Sequence, residues 1–210
     1  MIRRGMDIVL ASCGILLATP LVAAAAAAIA IEDGFPVFFR QNRVGTGGRL
    51  FRLWKLRSMR QNKRGHSITA GGDARITRTG RVLRRYKLDE LPQFWNVLRG
   101  DMSFIGPRPE VPEFVDAEDP SWRCVLSQRP GITDFATLVY RNEESLLAGC
   151  ADPEQVYRER ILPSKLALNI EYFNRRSLRS DLKLLVLTAR YSLFPSDIDC
   201  AQLRRSILNN

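Results

Sequence analysis

The sequence is poor in the side chains that bind transition metals. It has one histidine, His66, and four cysteines, and neither a CxxC nor an HxxxH pattern occurs among its 210 residues. Structural zinc sites use about four such ligands at short spacings, so a zinc centre is not expected. Cys13 lies in an apolar run, which leaves an odd number of cysteines for the rest of the chain. A disulfide framework is therefore not expected either.

Acidic residues are almost absent between Arg40 and Lys87. This basic segment holds fifteen Lys and Arg residues and a single acid, Asp73, in a chain whose net charge is +10. Such a local positive field predicts an anionic partner, which could be nucleic acid, lipid headgroups or a phosphorylated small molecule. Aromatic residues are sparse in the basic segment, and no helix-turn-helix or RNA-binding signature occurs. Nucleic acid is therefore the weaker candidate.

Charged residues are entirely absent from residues 8 to 31. This apolar run is long enough, at about 1.5 Å per residue, to cross a hydrocarbon core of about 30 Å. A cleaved signal peptide would account for Arg3 and Arg4 at its start and for the alanine tract near its end. It would also deliver a domain with unpaired cysteines to an oxidising compartment, which disfavours this interpretation.

The charges around the apolar run do not fit a simple spanning helix. Arg3 and Arg4 flank one end and the basic segment follows the other, so both ends carry the positive charge typical of the cytoplasmic side. Thr19 and Pro20 stand near the middle, and proline removes a backbone donor and can bend a helix. The run is therefore either a re-entrant hairpin in one leaflet or a kinked spanning helix, and composition alone leaves both open.

A β-hairpin is predicted after the apolar run. Residues 37 to 59 place two stretches rich in Val, Phe, Leu and Trp around a turn with the sequence GTGG, residues 45 to 48. This turn lacks the strand-loop-helix context and the Lys-Ser/Thr ending of a phosphate-binding P-loop. Strand alternation puts Lys55 and Arg57 on one face, where they are either solvated or available to a phosphate.

Two adjacent acids, Asp89 and Glu90, follow the basic segment. They precede a predicted helix that begins near Pro92 and ends at Gly100. A short helix predicted ahead of them, from about Thr79 to Lys87, would carry Arg84 or Arg85 toward the same region. An acid at a helix start is commonly a cap. An Asp among arginines stays ionised, however, and an ionised Asp can accept a phosphoryl group while a neighbouring Glu holds Mg²⁺ against the phosphates.

Two further arginines are predicted to be rigidly held. In GPRPE, residues 106 to 110, prolines on both sides of Arg108 restrict its backbone, and in QRPGIT, residues 128 to 133, Arg129 precedes a proline. An arginine with a fixed backbone can present its guanidinium group to a phosphate with little loss of entropy. A proline-rich surface turn is the alternative.

Two helices are predicted near the carboxy terminus, over residues 164 to 176 and 178 to 194. The second has an apolar face that is expected to pack on the core, formed by Leu182, Leu185, Val186, Ala189 and Leu193. Charged residues interrupt this helix, so a position at the membrane interface is the alternative and a second membrane span is not expected. A loop over residues 60 to 73 and a peripheral tail after residue 194 are also predicted.

Three stretches carry a resemblance to a known family. KLRSM at 55 to 59, LDELPQFWNVLRGDMSFIGPRPE at 88 to 110 and RPGIT at 129 to 133 resemble the bacterial sugar transferases of the monotopic phosphoglycosyl transferase type, short form. The similarity extends from the apolar run to SDLKLLVLTA near the carboxy terminus. It implies an enzyme that moves a sugar-1-phosphate from a UDP-sugar to a polyprenyl (undecaprenyl) phosphate and releases UMP.

The resemblance also implies roles for individual residues. Asp89 matches the family's nucleophile, which forms a covalent phosphoglycosyl-aspartate intermediate, and Glu90 matches the partner that binds the cofactor Mg²⁺. The matching positions for phosphate and nucleotide contacts are Lys55, Arg84, Arg108, Arg129 and Asp181. Arg57, on the face of Lys55, and Arg141, retained after RPGIT, complete the set of candidate substrate-binding residues.

The resemblance favours the hairpin for the apolar run, with the helix break at Thr19 and Pro20. The expected fold is a small membrane-associated α/β domain of the α+β type, mostly helical, with a re-entrant membrane helix over residues 1–35, a catalytic domain over 36–210 and a short β-hairpin. Its expected location is the cytoplasmic face of the bacterial inner membrane. After RPGIT the sequence DFATLVYRNEE departs from the usual family continuation. The identity of the sugar therefore stays undefined.

The implied partners are a UDP-sugar, polyprenyl phosphate and the membrane, with no nucleic acid, and a homodimer is left open. Two other functions are weighed against the enzyme. A membrane-tethered nucleic-acid-binding protein would use the basic segment but would not need the Asp-Glu pair. A membrane scaffold would keep its function when Asp89 is changed to Asn.

Overall fold

The computed structural model describes residues 2–60 and 73–194, together with Leu203, Arg205 and Ile207. Most of the predicted loop over 60 to 73 and almost all of the predicted tail lie outside the described residues. The helices are α1 (Ile2–Asp33), α2 (Arg78–Arg85), α3 (Gln93–Arg99), α4 (Pro120–Leu126), α5 (Phe135–Val139), α6 (Glu143–Leu146), α7 (Pro153–Val156), α8 (Leu162–Asn174) and α9 (Leu178–Leu193). The strands are β1 (Phe38–Val44), β2 (Leu50–Leu56), β3 (Ser103–Ile105) and β4 (Gly131–Thr133). The domain is thus mostly helical, as predicted.

The predicted β-hairpin is confirmed. β1 and β2 pair antiparallel, with Phe38 opposite Leu56. The turn between them needs glycine, because Gly47 and Gly48 have φ angles of 66° and 79°, which other residues rarely adopt. β2 lies against α3 and against the segment that carries the two adjacent acids, so the strand brings Lys55 to that segment.

The two proline-containing motifs meet in a second, parallel pair of strands. β3 leads into GPRPE and β4 lies within QRPGIT, and Ser103 pairs with Gly131. Gly106 and Gly131 lie backbone against backbone, and a Cβ on either residue would overlap main-chain atoms of the opposite segment. Only glycine at both positions allows this approach, which fixes where the chain enters the loop around Arg108.

Two apolar clusters hold the carboxy-terminal helices to this framework. The first packs α8 against α4 and the segment after GPRPE and is formed by Val111, Phe114, Trp122, Val125, Leu147, Tyr157, Ile161, Leu162 and Leu166. The second joins α9 to β3 and α5 and is formed by Ile105, Phe135, Leu138, Tyr172, Leu184, Leu203 and Ile207. Burial of these side chains removes apolar surface from water and is the main force that fixes the helices.

The apolar run forms one continuous helix, α1, that is long and apolar enough to cross a membrane. The predicted hairpin with a break at Thr19 and Pro20 is therefore not confirmed. A proline inside a helix removes one hydrogen bond, which a long helix tolerates when neighbouring groups compensate. Pro20 leaves the Leu16 carbonyl without its helical donor, and the Thr19 hydroxyl beside it donates a hydrogen bond of 2.7 Å to the adjacent Ile15 carbonyl. The structure thus leaves the re-entrant topology as a prediction.

Both ends of α1 are bound to the same folded domain. Near the start, the Arg4 guanidinium donates to the carbonyl of Val97 at 2.6 Å, and Asp7 accepts hydrogen bonds from Ser103 and from the Phe104 amide, each at 3.0 Å. At the other end, Asp33 forms an ion pair with the buried side chain of Arg57 at 3.2 Å. The middle of the helix is exposed, whereas each end has specific polar partners.

The prediction that the apolar face of α9 packs on the core is wrong for most of that face. Leu182, Val186 and Leu193 are each more than half exposed, while Asp181 and Leu184 are buried. The polar contacts of Asp181 explain the difference, because this carboxylate accepts three hydrogen bonds and turns its side of the helix inward. Apolar side chains are therefore left exposed along α9.

Candidate active site

Asp89 and Glu90 lie in a short 3₁₀ turn, Leu88–Glu90, between α2 and α3. The chain reaches this turn through Lys87, whose φ angle of 58° is in the left-handed region. After the turn, Pro92 is the N-cap residue of α3. Both acids are buried, with 5% of Asp89 and 7% of Glu90 exposed. Buried carboxylates are rare without charged partners, so their surroundings indicate a functional role.

Glu90 is held by two cations from different parts of the chain. Its Oε1 atom accepts hydrogen bonds from Lys55 Nζ at 3.0 Å and from the Arg108 guanidinium at 2.6 Å. Burial alone would raise the pKa of Glu90, but the positive charges of Arg108 and Lys55 outweigh it and lower that pKa well below its usual range. Glu90 is therefore ionised throughout the physiological pH range.

Asp89 differs from Glu90 in its hydrogen bonding. Its Oδ1 atom is buried and has no hydrogen-bond partner among the described residues. Burial raises the pKa of Asp89, while the positive charge of Lys55 opposes this shift and the negative charge of Glu90 adds to it. A buried carboxylate oxygen without a partner is costly, and such groups are found where a substrate or ion completes the site.

Arg108 is anchored by a buried acid, Asp134, that lies outside the predicted site residues. The Arg108 amide donates to Asp134 Oδ2 at 2.6 Å, and Asp134 also accepts hydrogen bonds from the Thr137 amide and from the Asn169 side chain. Asp134 is the N-cap of α5, so an Asp between RPGIT and an apolar stretch was the available signal. Prolines and Asp134 together fix the backbone of Arg108, as GPRPE predicted.

Arg84 reaches the site because α2 lies close to the end of β2. Gly80 of α2 packs on the Ser58 backbone, and a Cβ at this position would overlap the Ser58 carbonyl. Arg84 follows one turn later and forms an ion pair with Glu144. The glycine thus sets the distance between the basic helix and the strand that carries Lys55.

A cavity of about 480 Å³ opens beside the acid pair. Its charged wall is formed by Lys87, Glu90, Arg108, Arg141, Glu143, Glu144 and Lys165. Its apolar wall includes Leu91, Phe94, Phe104, Ile132, Leu138, Leu185 and Leu193. Phe94 also lies against Gly14 of α1, where a Cβ would overlap its ring. The cavity therefore joins a charged end to an apolar end that reaches the membrane helix.

The structure brings some of the predicted site residues together and separates others. Lys55, Arg84, Arg108 and Arg141 lie at the acid pair or at the cavity. Arg57, Arg129 and Asp181 are not brought there. Arg57 donates to the carbonyls of Asp33 and Gly34 at the end of α1, and Arg129 is exposed and does not line the cavity.

Asp181 does not line the cavity, and its carboxylate connects neighbouring helices. Its carboxylate accepts hydrogen bonds from Arg3 at 3.0 Å, from the Tyr172 hydroxyl at 2.6 Å and from Arg176 at 2.7 Å. These three donors join α9, the end of α8 and the start of α1. Asp181 therefore links α9 to α8 and to the start of α1, and a phosphate contact remains only a prediction.

The acid pair offers two oxygen ligands that a divalent cation could use. Among the residues that the structure describes, no group of three or more His, Cys, Asp or Glu side chains could hold a metal ion. The unpartnered Asp89 Oδ1 and the second oxygen of Glu90 nevertheless offer two hard ligands. Mg²⁺ commonly binds one or two carboxylates and completes its shell with phosphate oxygens and water. The donor set is thus compatible with Mg²⁺.

Comparison with known proteins identifies the class. The bacterial sugar transferase family matches residues 1–195, so the chain belongs to this family. A relative from Aeromonas hydrophila, a UDP-N-acetylgalactosamine-undecaprenyl-phosphate N-acetylgalactosaminephosphotransferase, is 50% identical over 144 residues, 66% of this chain. A UDP-glucose:undecaprenyl-phosphate glucose-1-phosphate transferase from Caulobacter vibrioides is 38% identical over 191 residues, 89% of this chain. The family resemblance found in the motifs is therefore confirmed.

The relatives differ from this chain in length. The matched region covers 34% of the Aeromonas relative and 67% of the Caulobacter relative. A UDP-glucose:undecaprenyl-phosphate glucose-1-phosphate transferase from Escherichia coli is 33% identical over 198 residues, which cover 90% of this chain and 39% of that relative. The chain thus spans between about a third and two thirds of the length of these relatives.

Proposed function

We propose that this chain transfers a sugar-1-phosphate from a UDP-sugar to undecaprenyl phosphate and releases UMP. The observation that carries the proposal is the buried Asp89 carboxylate, which has an unpartnered oxygen beside a Glu90 held by two cations. The cavity next to this pair has one charged and one apolar wall, which suits a reaction between a nucleotide sugar and a lipid phosphate. The names of the three relatives describe transfer to the same lipid.

The proposed reaction has two steps at one phosphorus atom. In the first, an Asp89 oxygen attacks the phosphorus that bears the sugar, an O–P bond forms and the bond to the departing UMP breaks. In the second, a phosphate oxygen of undecaprenyl phosphate attacks the same phosphorus and releases Asp89. The products are undecaprenyl diphosphate sugar and UMP, and the carboxylate is regenerated.

The other side chains of the site position the reactants and compensate charge. Arg108 and Lys55 keep Glu90 ionised and oriented, and Arg84 and Arg141 lie where they can bind the phosphates. Mg²⁺, when bound by Glu90 and the diphosphate, would neutralise charge on the phosphates. Arg57, Arg129 and Asp181 are not needed for this proposal.

UDP-N-acetylgalactosamine is the first donor to test. The relative whose name includes this sugar is 50% identical to the chain, whereas the two glucose-1-phosphate transferases are 38% and 33% identical. We propose that the product starts a surface glycan, as expected for a sugar attached to undecaprenyl diphosphate. The donor, rather than the reaction type, is the part of the proposal that depends on the relatives alone.

The function is tested by UMP release from purified protein with undecaprenyl phosphate and Mg²⁺. We expect release with at least one of UDP-N-acetylgalactosamine, UDP-galactose and UDP-glucose, and no release when EDTA removes the cation. Absence of UMP with all three donors and with further UDP-sugars would overturn the proposal. Tight DNA binding that falls steeply with salt, without transfer, would instead support the nucleic-acid-binding alternative.

We also propose that α1 enters and leaves the cytoplasmic leaflet of the inner membrane. The support is that both ends of α1 bind the same domain, whereas the ends of a helix that crossed the bilayer would lie on opposite sides of it. The exposed apolar side chains of α9 suit contact with the same membrane surface. The domain would then lie at the interface, where the two substrates meet.

Cysteine labelling tests this topology. In a variant without native cysteines, Gly5→Cys and Phe35→Cys place single thiols near the two ends of α1, at positions with open space around them. We expect a membrane-impermeant maleimide to label neither in spheroplasts and both in inverted vesicles. Asp116→Cys, on the exposed surface of the domain, is the control for the cytoplasmic side. Labelling of Gly5→Cys in spheroplasts would show that α1 spans the membrane.

A further inference from the structure

Lys165 is a cation in the cavity wall that neither the motifs nor the proposed reaction uses. It lies in the first turn of α8, and its side chain is 12% exposed. Its Nζ atom forms an ion pair with Glu143, lies 3.4 Å from the Tyr157 hydroxyl and lies 4.8 Å from the centre of the Tyr157 ring. The buried residues on either side of it, Leu162 and Leu166, fix this part of the helix.

Lys165 and Glu143 face the same cavity as the acid pair. Both line it together with Glu90 and Arg108. A lysine at this position can therefore reach a ligand that also contacts Arg108. The Glu143 carboxylate, however, places a negative charge in a cavity that the proposed function fills with phosphates.

A second ion pair of the same kind involves another residue of the cavity wall. Glu144, the next residue, forms an ion pair with Arg84 of α2. Two consecutive acids thus neutralise two cations that come from different helices. The cations lie on α8 and α2, whereas the acids begin α6, which has only four residues and no side-chain cap. The cations are therefore fixed more firmly than the acids.

An entering phosphate would change the balance of charge at this wall. A phosphate carries more negative charge than a carboxylate and several strong acceptor oxygens, so it is the better partner for a lysine. A carboxylate that remained beside it would be repelled, and this repulsion is strong where water is excluded. A glutamate side chain can rotate away toward solvent, whereas the lysine stays at its place on α8.

We propose that Lys165 binds a phosphate group of a substrate and that Glu143 occupies this position until the substrate enters. The inference rests on the proposed function, since the phosphate belongs either to the UDP-sugar or to undecaprenyl phosphate. Lys165 is thus a substrate-binding residue, and Glu143 is a counter-ion that competes with the substrate.

Steady-state kinetics of two variants with opposite expected effects tests the inference. Lys165→Gln should raise KM for one of the two substrates about tenfold, which is the effect of losing one charge-assisted hydrogen bond. Glu143→Gln keeps the cation and removes the competing charge, so it should lower the same KM about threefold. Lys165→Arg should restore most of the affinity. The substrate whose KM moves identifies the source of the phosphate.

The controls separate binding from folding. Arg123→Gln removes a cation from an exposed ion pair with Glu118, neither residue of which lines the cavity, and should change neither KM. A titration of the detergent-solubilised variants with UDP gives a readout without turnover, and thermal unfolding reports loss of structure. If Lys165→Gln does not fold, Glu143→Gln still tests the competition.

Two results would overturn the inference. KM values of Lys165→Gln within twofold of wild type for both substrates would show that Lys165 binds no phosphate. A higher KM in Glu143→Gln, with a lower unfolding temperature, would show that the ion pair supports the structure of the site. Either result with an active wild type leaves the proposed function intact, whereas a wild type that releases no UMP contradicts the proposed function itself.

Discussion

Asp89→Asn is expected to abolish sugar-phosphate transfer, with a loss of activity on the order of 10⁴-fold or more, as for other enzymes that lose their nucleophile. Asparagine has nearly the size of aspartate but carries no charge and cannot form the acyl phosphate. The measurement is UMP release, combined with the intact mass of the protein after incubation with UDP-sugar and Mg²⁺ in the absence of lipid acceptor. Wild type should gain the mass of one sugar phosphate, and Asp89→Asn should gain none.

A matched variant and an alternative outcome make this test specific. Asp116→Asn changes an exposed aspartate outside the cavity and should keep full activity and the adduct. An active wild type that never forms an adduct, but releases UMP once undecaprenyl phosphate is supplied, would indicate direct transfer between the substrates. Asp89 would then act in binding and not as a nucleophile.

Glu90→Gln is expected to lower both activity and stability. The change leaves the charges of Lys55 and Arg108 without their shared carboxylate, and breaking a buried ion pair in this way typically costs about 3 kcal/mol of unfolding free energy. Activity should fall on the order of 10³-fold, because the proposed magnesium ligand and the orientation of Arg108 are lost together. Denaturant unfolding in detergent and UMP release at increasing Mg²⁺ measure the two effects.

The effects of Glu90→Gln on stability and on activity can be measured separately. Glu118→Gln removes the acid of an exposed ion pair and should change stability by less than about 0.5 kcal/mol. A stabilising ligand or lower temperature can compensate the stability loss of Glu90→Gln, but it cannot replace a metal ligand. If folded Glu90→Gln retained wild-type turnover at all Mg²⁺ concentrations, the role of Glu90 would be structural only.

Local features of the fold were predictable because short-range physics determines them. The glycine-rich turn specified the β-hairpin, and Gly100 ends α3 with a φ angle of 92°, the backbone that a glycine cap allows. The orientation of α9 was not predictable in the same way. Its apolar periodicity favoured packing on the core, but the contacts of Asp181 with Arg3 and Tyr172 reverse the face that is buried.

The site shows the same division between local pattern and long-range contact. The acid pair and Arg108 could be selected from the sequence, since their motifs restrict the backbone locally. Asp134 carried only the signal of a helix cap and Lys165 carried none, because each becomes part of the site only when α5 and α8 pack against GPRPE and the cavity. The alternation of β2 predicted that Arg57 lies on the same face as Lys55. In the structure Arg57 follows the last residue of β2 and binds the end of α1 instead.

The contacts at the start of α1 have a consequence for biosynthesis. Arg3 is synthesised well before its partner Asp181, which is 178 positions later, and the partner of Asp7, Ser103, is 96 positions later. On the proposed topology, we expect α1 to reach the bilayer before these polar partners have been synthesised. The last of these contacts, between Arg3 and Asp181, can form only after the start of α9 has been synthesised. A nascent chain that stops before Asp181 would therefore hold α1 by apolar contacts and by the earlier polar contacts alone.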